Sequence, residues 1–277
     1  MTNPTDVLHP LAAIFKKQVR HMFRYPGEFI FVLIIPYFLT GMVFAMGTSV
    51  GGANANANFS AQTGSTLNPF VYLIIGAGVW MVSWIVLEGI GTSLRDEQIK
   101  GTLEQNFLAP INRFLLLVGT AMAQIIITLV IFASVIAATV LILVPGSAIG
   151  LIEALAVLLI GLIPLFGIGF VFAALVVRFK EPYAFTQVAN VLFGVVTGTF
   201  YSVTVLPVWV QTISRSLPQT LVVQDMRLII ESGSNLFGAI GTILILFAMA
   251  VIYPFLGYSF FKLFEKRAKI HGDLSKF

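Results

Sequence analysis

Apolar and polar positions in this chain fall in long blocks rather than alternating singly. Six blocks are apolar on every face and long enough for a membrane-crossing helix, which needs about 20 residues at about 1.5 Å rise each. They cover residues 29–47, 70–92, 114–144, 151–177, 184–206 and 236–261. The strands of a transmembrane β-barrel would be about 10 residues long and would alternate in and out. Runs such as "LLLVGTAMAQIIITLVIFASVIAATVLILV" do neither. The pattern predicts an all-α integral membrane protein with six transmembrane helices, in one transmembrane domain over residues 1–277.

The segments between the blocks differ in kind. Residues 8–24 place Leu8, Leu11, Phe15, Val19 and Met22 at helical spacing, with Lys16, Lys17, Arg20 and Arg24 mostly off that stripe. That pattern predicts an amphipathic helix lying in the membrane interface or packed on the first span. Tyr25-Pro-Gly27 then breaks it. Residues 48–69 carry no charge and are rich in Gly, Asn, Ser and Thr, and they read as a flexible external connection. Asn58-Phe59-Ser60 within them fits the glycosylation pattern, a triplet common by chance. "VPGSAIG" predicts a tight external turn, with Glu153 just beyond it as an interfacial carboxylate.

Residues 201–231 are too polar to span and too apolar for a solvated loop. Pro207 and Pro218 divide them, and Trp209 and Tyr201 suit the membrane–water boundary. Two short helices dipping into the outer leaflet fit, an external re-entrant hairpin over 207–231. Such backbone is tolerated only where it packs on protein or lines a cavity, so the segment is expected to form a lip.

The polar island is "RDEQIKGTLEQNFLAPINRF", residues 95–114, with six charged residues. Gly101 breaks a charged extension that includes Glu97. Thr102-Leu103-Glu104-Gln105 fits a capping box, and Glu104 suits the positive end of the helix dipole. Pro110 stops the helix, and Arg113 marks the return to the membrane. Leu103, Phe107 and Leu108 fall on one side. An apolar patch with a charged rim suggests a partner surface; an ordinary amphipathic loop helix on the bilayer is the alternative.

Composition and charge sharpen this picture. Of the residues, 58% are hydrophobic and 10% charged, and the mean hydropathy is +0.96. A soluble domain carries about a quarter charged residues, so the outer surface must face lipid. Fourteen of the sixteen Lys and Arg fall in the N-terminus, the 95–113 and 178–183 loops and the C-terminus, leaving only Arg215 and Arg227 on the other side. Cytoplasmic loops retain cations, so both termini are expected in the cytoplasm. The net charge of +4 therefore reflects topology rather than nucleic-acid binding. The chain has no cysteine and so no thiolate metal site. The first apolar run reads as a retained span rather than a cleaved signal.

Catalytic and ion-coupling chemistry is sparse. Glu88 is the one clear ionisable residue within a span, with Gln124 and Gln187 the other notable polar groups. Glu88 could pair with Arg95 or a first-helix cation, or act in gating. The lack of buried carboxylates counts against a proton- or sodium-driven transporter. The histidines, His9, His21 and His271, lie outside the spans and no Asp lies within one, which argues against an intramembrane protease. No G-x-x-x-x-G-K-[ST] phosphate loop occurs. Gly194 and Gly198 have the spacing for close helix approach.

"RDEQIKGTLEQNFLAPINRFLLLVG" resembles the coupling-helix region of type-2 ATP-binding cassette (ABC) exporter permeases, at Glu97, Gly101, Thr102, Leu103, Glu104, Pro110 and Arg113. "LPVWVQTISRSLPQTLVVQDMRLII" is similar to that family's external hairpin, at Leu206, Pro207, Trp209, Pro218, Asp225 and Arg227, although "SLPQTLVVQ" departs from its more usual Pro-Leu-Thr run. The resemblance implies a coupling helix over 101–110 that docks, with Phe107, on a separate nucleotide-binding ATPase subunit. It implies that ATP and Mg are bound by that partner, with no cofactor, metal or catalytic site in this chain. A second permease copy, most simply a homodimer, would complete the pathway in the plasma (inner) membrane of a prokaryote. The 25 Phe residues fit a hydrophobic or amphiphilic cargo such as a drug, lipid or lipid-linked glycan, and equally fit ordinary lipid contact. An ion-coupled transporter and a non-transporting membrane scaffold are the competing readings.

Overall fold

The computed structural model describes residues 26–99, 113–179, 182–233 and 236–270, together with Lys16, Arg20 and Arg24, which are helical and exposed. The described residues are almost wholly helical and contain no strand. The helices are α1 (Pro26–Gly51), α2 (Ala55–Thr63), α3 (Pro69–Ile99), α4 (Arg113–Leu143), α5 (Ala148–Phe179), α6 (Pro182–Val196), α7 (Val208–Arg215), α8 (Pro218–Ser232) and α9 (Ile240–Ile270). Single 3-10 turns sit at Gly52–Asn54 and Val203–Val205.

Local chemistry sets several boundaries. Asn68 Oδ1 accepts the Phe70 N–H at 2.9 Å, and Pro69 follows it as the first helical residue of α3. Gly64 ends α2 in the left-handed region, φ +67°, and its N–H returns to the Ser60 carbonyl. Pro218 opens α8, and Gly233 (φ +78°) closes it.

Helix α3 is the central post. Its residues from Val71 to Val79 are all buried, and it packs on α1, α4, α5, α6 and α8. Ile75, Ile136, Leu158, Met226, Ile230 and Leu246, from α3, α4, α5, α8 and α9, lie in the same core. Helix α1 is tied on by a polar contact: Tyr37 Oη donates to the Val135 carbonyl at 2.9 Å, and Thr139 Oγ1 lies 3.3 Å from that hydroxyl. Elsewhere α1 presents Phe31, Phe38, Met42 and Met46 outward, and α9 presents Val251, Ile252, Phe255 and Leu256. These bare faces suit hydrocarbon.

Helices α5 and α9 meet backbone to backbone. A Cβ on Gly167 would stand 2.1 Å from the Tyr253 carbonyl carbon, and one on Gly257 would stand 2.2 Å from the Gly167 carbonyl oxygen. Helices in lipid gain little from burying apolar surface against each other, so close packing must hold them together. Pro254 lies at the same crossing. It lacks the N–H that would complete the α9 ladder there.

Four described stretches are long and apolar enough to cross a membrane: Ile30–Thr63, Pro69–Ile90, Ala148–Leu175 and Ile240–Phe264, with shorter apolar helices at Thr128–Leu143 and Thr186–Val196. Two expectations change. Residues 48–69 are not a flexible loop: α1 runs on to Gly51 and α2 fills Ala55–Thr63. Phe59 anchors that helix edge-on against Tyr72, ring centroids 5.1 Å apart, and the Ala–Asn alternation offers no breaker before Gly64. Residues 184–206 are not one continuous helix. Helix α6 stops at Val196, where Gly198 turns the chain at φ +71°. Its 15 residues reach about 22 Å, short of the roughly 30 Å hydrocarbon thickness.

Candidate functional site

Stopping a helix inside a membrane leaves backbone carbonyls with no water to satisfy them. At the end of α6 that need is met by Arg227 on α8. Its Nη1 donates to the Gly198 carbonyl at 3.0 Å, Nη2 to the Thr199 carbonyl at 2.6 Å, and Nε to the Tyr72 carbonyl at 3.2 Å. The guanidinium carbon stands 3.5 Å from the centre of the Tyr72 ring, which faces the cation. Only arginine offers five donors in a planar fork. Gly76 makes the approach possible, since a Cβ there would lie 1.8 Å from the Thr199 carbonyl oxygen and 2.6 Å from Arg227 Nη2.

The rest of the hairpin is pinned in the same way. Ser214 Oγ donates to the Val196 carbonyl at 2.5 Å, joining α7 to the end of α6. Tyr253 Oη donates to the Ser216 carbonyl at 2.5 Å, joining the α7–α8 junction to α9. Thr242 Oγ1 donates to Asp225 Oδ1 at 2.6 Å, while Asp225 Oδ2 is buried with no partner. Glu231 accepts from Ser65 Oγ at 3.0 Å, from Thr66 Oγ1 at 2.6 Å and from the Thr66 N–H, tying the C-terminal end of α8 to the entry of α3.

Three helices measure how deep the hairpin goes. Tyr253 is the fourteenth residue of the 25-residue apolar stretch Ile240–Phe264, and it holds Ser216. Gly161 is the fourteenth residue of the 28-residue stretch Ala148–Leu175, and a Cβ there would stand 2.1 Å from Val222 Cγ2, four residues after the start of α8. Trp80 is the twelfth residue of the 22-residue stretch Pro69–Ile90. Its Nε1 donates to the Asn190 carbonyl at 3.0 Å, and it lies against Gly194 near the end of α6. The three contacts set Ser216 at the α7–α8 junction, Val222 of α8 and Gly194 of α6 each beside the middle part of an apolar stretch.

The residues singled out in the sequence fall into separate groups. Pro207, Trp209, Pro218, Asp225 and Arg227 share the hairpin; Pro207 and Trp209 are exposed, and the other three are buried. Glu88 is half-buried on α3 and Gln187 is exposed on α6, while Gln124 lies within α4. Glu97 belongs to α3, and Arg113 begins α4. Gly101, Thr102, Leu103, Glu104, Phe107 and Pro110 lie outside the described residues, as does most of 8–24. Gly194 and Gly198 do not form one helix-packing face: Gly194 faces Trp80, whereas Gly198 makes the turn. Tyr72, Gly76, Thr199, Glu231 and Thr242 are additions from the structure. A glycine within "LIIGAGVW" was the available signal for Gly76, because a gap in an apolar helix marks close backbone approach.

Among the described residues, span-length apolar helices with a hairpin packed back against them fit an integral membrane protein. The family model described as ABC-2 type transporter matches residues 10–230. The chain belongs to that family, the membrane component of ABC transporters, whose members work with an ATP-binding subunit. No curated protein matches the chain.

Proposed function

We propose that this chain is the membrane-spanning subunit of an ATP-driven exporter that moves a hydrophobic or amphiphilic molecule, such as a drug, lipid or lipid-linked glycan, out of the cytoplasm. The family match over residues 10–230 carries the reading, because it takes in both the polar island and the hairpin. Energy comes from a separate ATPase subunit that holds ATP and Mg, since the sequence contains no phosphate-binding loop. Glu97, Gly101, Thr102, Leu103, Glu104, Phe107, Pro110 and Arg113 form the docking segment for that subunit. A second permease copy closes the pathway, as the family resemblance implies. The cation distribution supports both termini lying inside, and the family resemblance supports a prokaryotic plasma membrane.

The experiment is reconstitution of the permease with its co-purifying ATPase in proteoliposomes. Vanadate should stop the flux and an ionophore should not. Glu104→Arg or Phe107→Asp should abolish ATP-dependent flux while the purified permease keeps its thermal midpoint. Flux that resists vanadate and collapses with the ion gradient would establish ion coupling instead.

A further inference from the structure

The first and last helices bring the two chain ends to one end of the bundle. Phe44 of α1 packs on Phe70 at the start of α3, ring centroids 6.0 Å apart, so α1 begins at the far end of α3. Glu231 at the close of α8 binds Ser65 and Thr66, just before α3. The Gly150 N–H at the start of α5 donates to the Gly233 carbonyl at 3.1 Å. The starts of α3 and α5 and the close of α8 therefore share one end. Helix α9 sets out soon after Gly233 and runs the same way as α5, since Gly167, well along α5, meets Tyr253, well along α9. It finishes, at Ile270, at the end where α1 begins.

That end is densely cationic. Residues 16–24 hold Lys16, Lys17, Arg20 and Arg24 and no acid, and residues 262–269 hold Lys262, Lys266, Arg267 and Lys269 against Glu265 alone. Lys16, Arg20 and Arg24 are helical and exposed, and their spacing sets them on one helix face. The series stops just before Pro26 opens α1, whose apolar stretch starts at Ile30. Lys262 is exposed in the last turn of the apolar stretch Ile240–Phe264, between the exposed Phe260 and Leu263. Its ammonium lies 5.2 Å from the centre of the Tyr258 ring. A cation on a face that otherwise suits hydrocarbon lays its stem along that face and carries its charge to the headgroup layer.

We infer that these two cationic runs bind anionic phospholipid headgroups, at the end of the bundle opposite the hairpin. Basic clusters at the end of an apolar span, or on an amphipathic helix, draw anionic lipid electrostatically. Lipid suits these cations better than a protein partner does, because Lys262 stands among exposed apolar residues and Arg24 stands within about two turns of the first apolar stretch. The inference goes beyond the exporter reading, since it needs only that the chain lies in a membrane.

The chain has no cysteine, so a single introduced cysteine reports on one place. In the purified full-length protein a fluorophore is attached at Gly27→Cys, near Arg24, at Leu263→Cys, beside Lys262, or at Val50→Cys, exposed at the other end of α1. Each protein is placed in phosphatidylcholine nanodiscs doped with nitroxide-labelled phosphatidylglycerol or, in parallel, nitroxide-labelled phosphatidylcholine. At positions 27 and 263 the anionic lipid should quench about fivefold more effectively, one cation's worth of attraction to an anionic headgroup. Added salt should shrink that preference, and position 50 should show none. Replacing Lys16, Arg20 and Arg24 by Gln should erase it at 27, and replacing Lys262, Lys266, Arg267 and Lys269 by Gln should erase it at 263. Exchanging Lys for Arg and Arg for Lys at those positions should keep it. Equal quenching by the two lipids in the otherwise unaltered chain would overturn the inference. So would a preference that ignores salt, that survives the Gln replacements, or that is as strong at position 50. Gln variants that lose a co-purifying ATPase and keep the lipid preference would assign the cations to a protein partner instead. Salt acts on the unaltered cations, so the inference stays testable if a neutralised run fails to fold. The assay uses no ATP, and a failure of ATP-driven flux would sink the exporter reading alone.

Discussion

Replacing Arg227 with methionine keeps the length and apolar stem of the side chain and removes every donor. The carbonyls of Gly198 and Thr199 then face a dry interior with no partner, since both lie past the end of α6 and belong to no helical ladder. The Tyr72 carbonyl lies inside α3 and keeps its own helical bond, so it contributes little. A buried polar group left unmade costs about 1–3 kcal/mol, which gives about 2–6 kcal/mol for the pair. Loss of the contact with the Tyr72 ring adds about 1 kcal/mol. Relief from burying a guanidinium offsets part of this, leaving a net loss of about 2–4 kcal/mol. Size-exclusion thermal-stability profiles in detergent should read it as a fall in midpoint of several degrees. Arg227→Lys, with three donors on a shorter point charge, should fall between. A companion Gly76→Val variant should reproduce the loss without altering any polar group, because its Cβ would displace the Thr199 carbonyl. An Arg227→Met protein with wild-type midpoint, in which Gly76→Val is also neutral, would refute the view that this cation holds the broken helix.

Other features make their own demands. Gly167→Leu should separate α5 from α9 and lower the thermal midpoint more than Gly241→Leu, where a Cβ meets nothing within 4 Å. Asp225→Leu, which removes the acceptor of the Thr242 hydroxyl, should lower the thermal midpoint, whereas Asp225→Asn, which can still accept from Thr242, should stay close to wild type. A cysteine at Trp209 should react with an impermeant maleimide added to whole cells, and reaction from the cytoplasmic side alone would invert the topology.

The sequence conveyed what depends on bulk apolarity and on breakers. Runs of Leu, Ile, Val and Phe announced the long helices, and Pro207 and Pro218 marked the two joints of the hairpin. It did not convey where α6 ends, because "ANVLFGVVTGTFYSV" stays apolar through the break. The stop is made by a glycine at positive φ, and by a cation 29 residues later in the chain that satisfies the exposed carbonyl. Pairings across such distances leave no local periodicity. Residues 48–63 misled for a different reason. Asn and Gly density reads as loop, but Phe59 against Tyr72 gives the segment a tertiary anchor. Of the hairpin residues, Arg227 and Asp225 were visible as charges in an apolar stretch, whereas their partners are ordinary backbone carbonyls and a threonine.

The arginine clamp also bears on how the polypeptide is made. Tyr72, Gly198 and Thr199, which receive the Arg227 guanidinium, all precede it in the chain. A ribosome feeding the membrane from N- to C-terminus therefore delivers the cation last, to acceptors already synthesised. Reversing that order, by a circular permutation that starts the chain at Val208 so that residues 208–277 are made before residues 1–207, would present a bare guanidinium to lipid before its resting place exists.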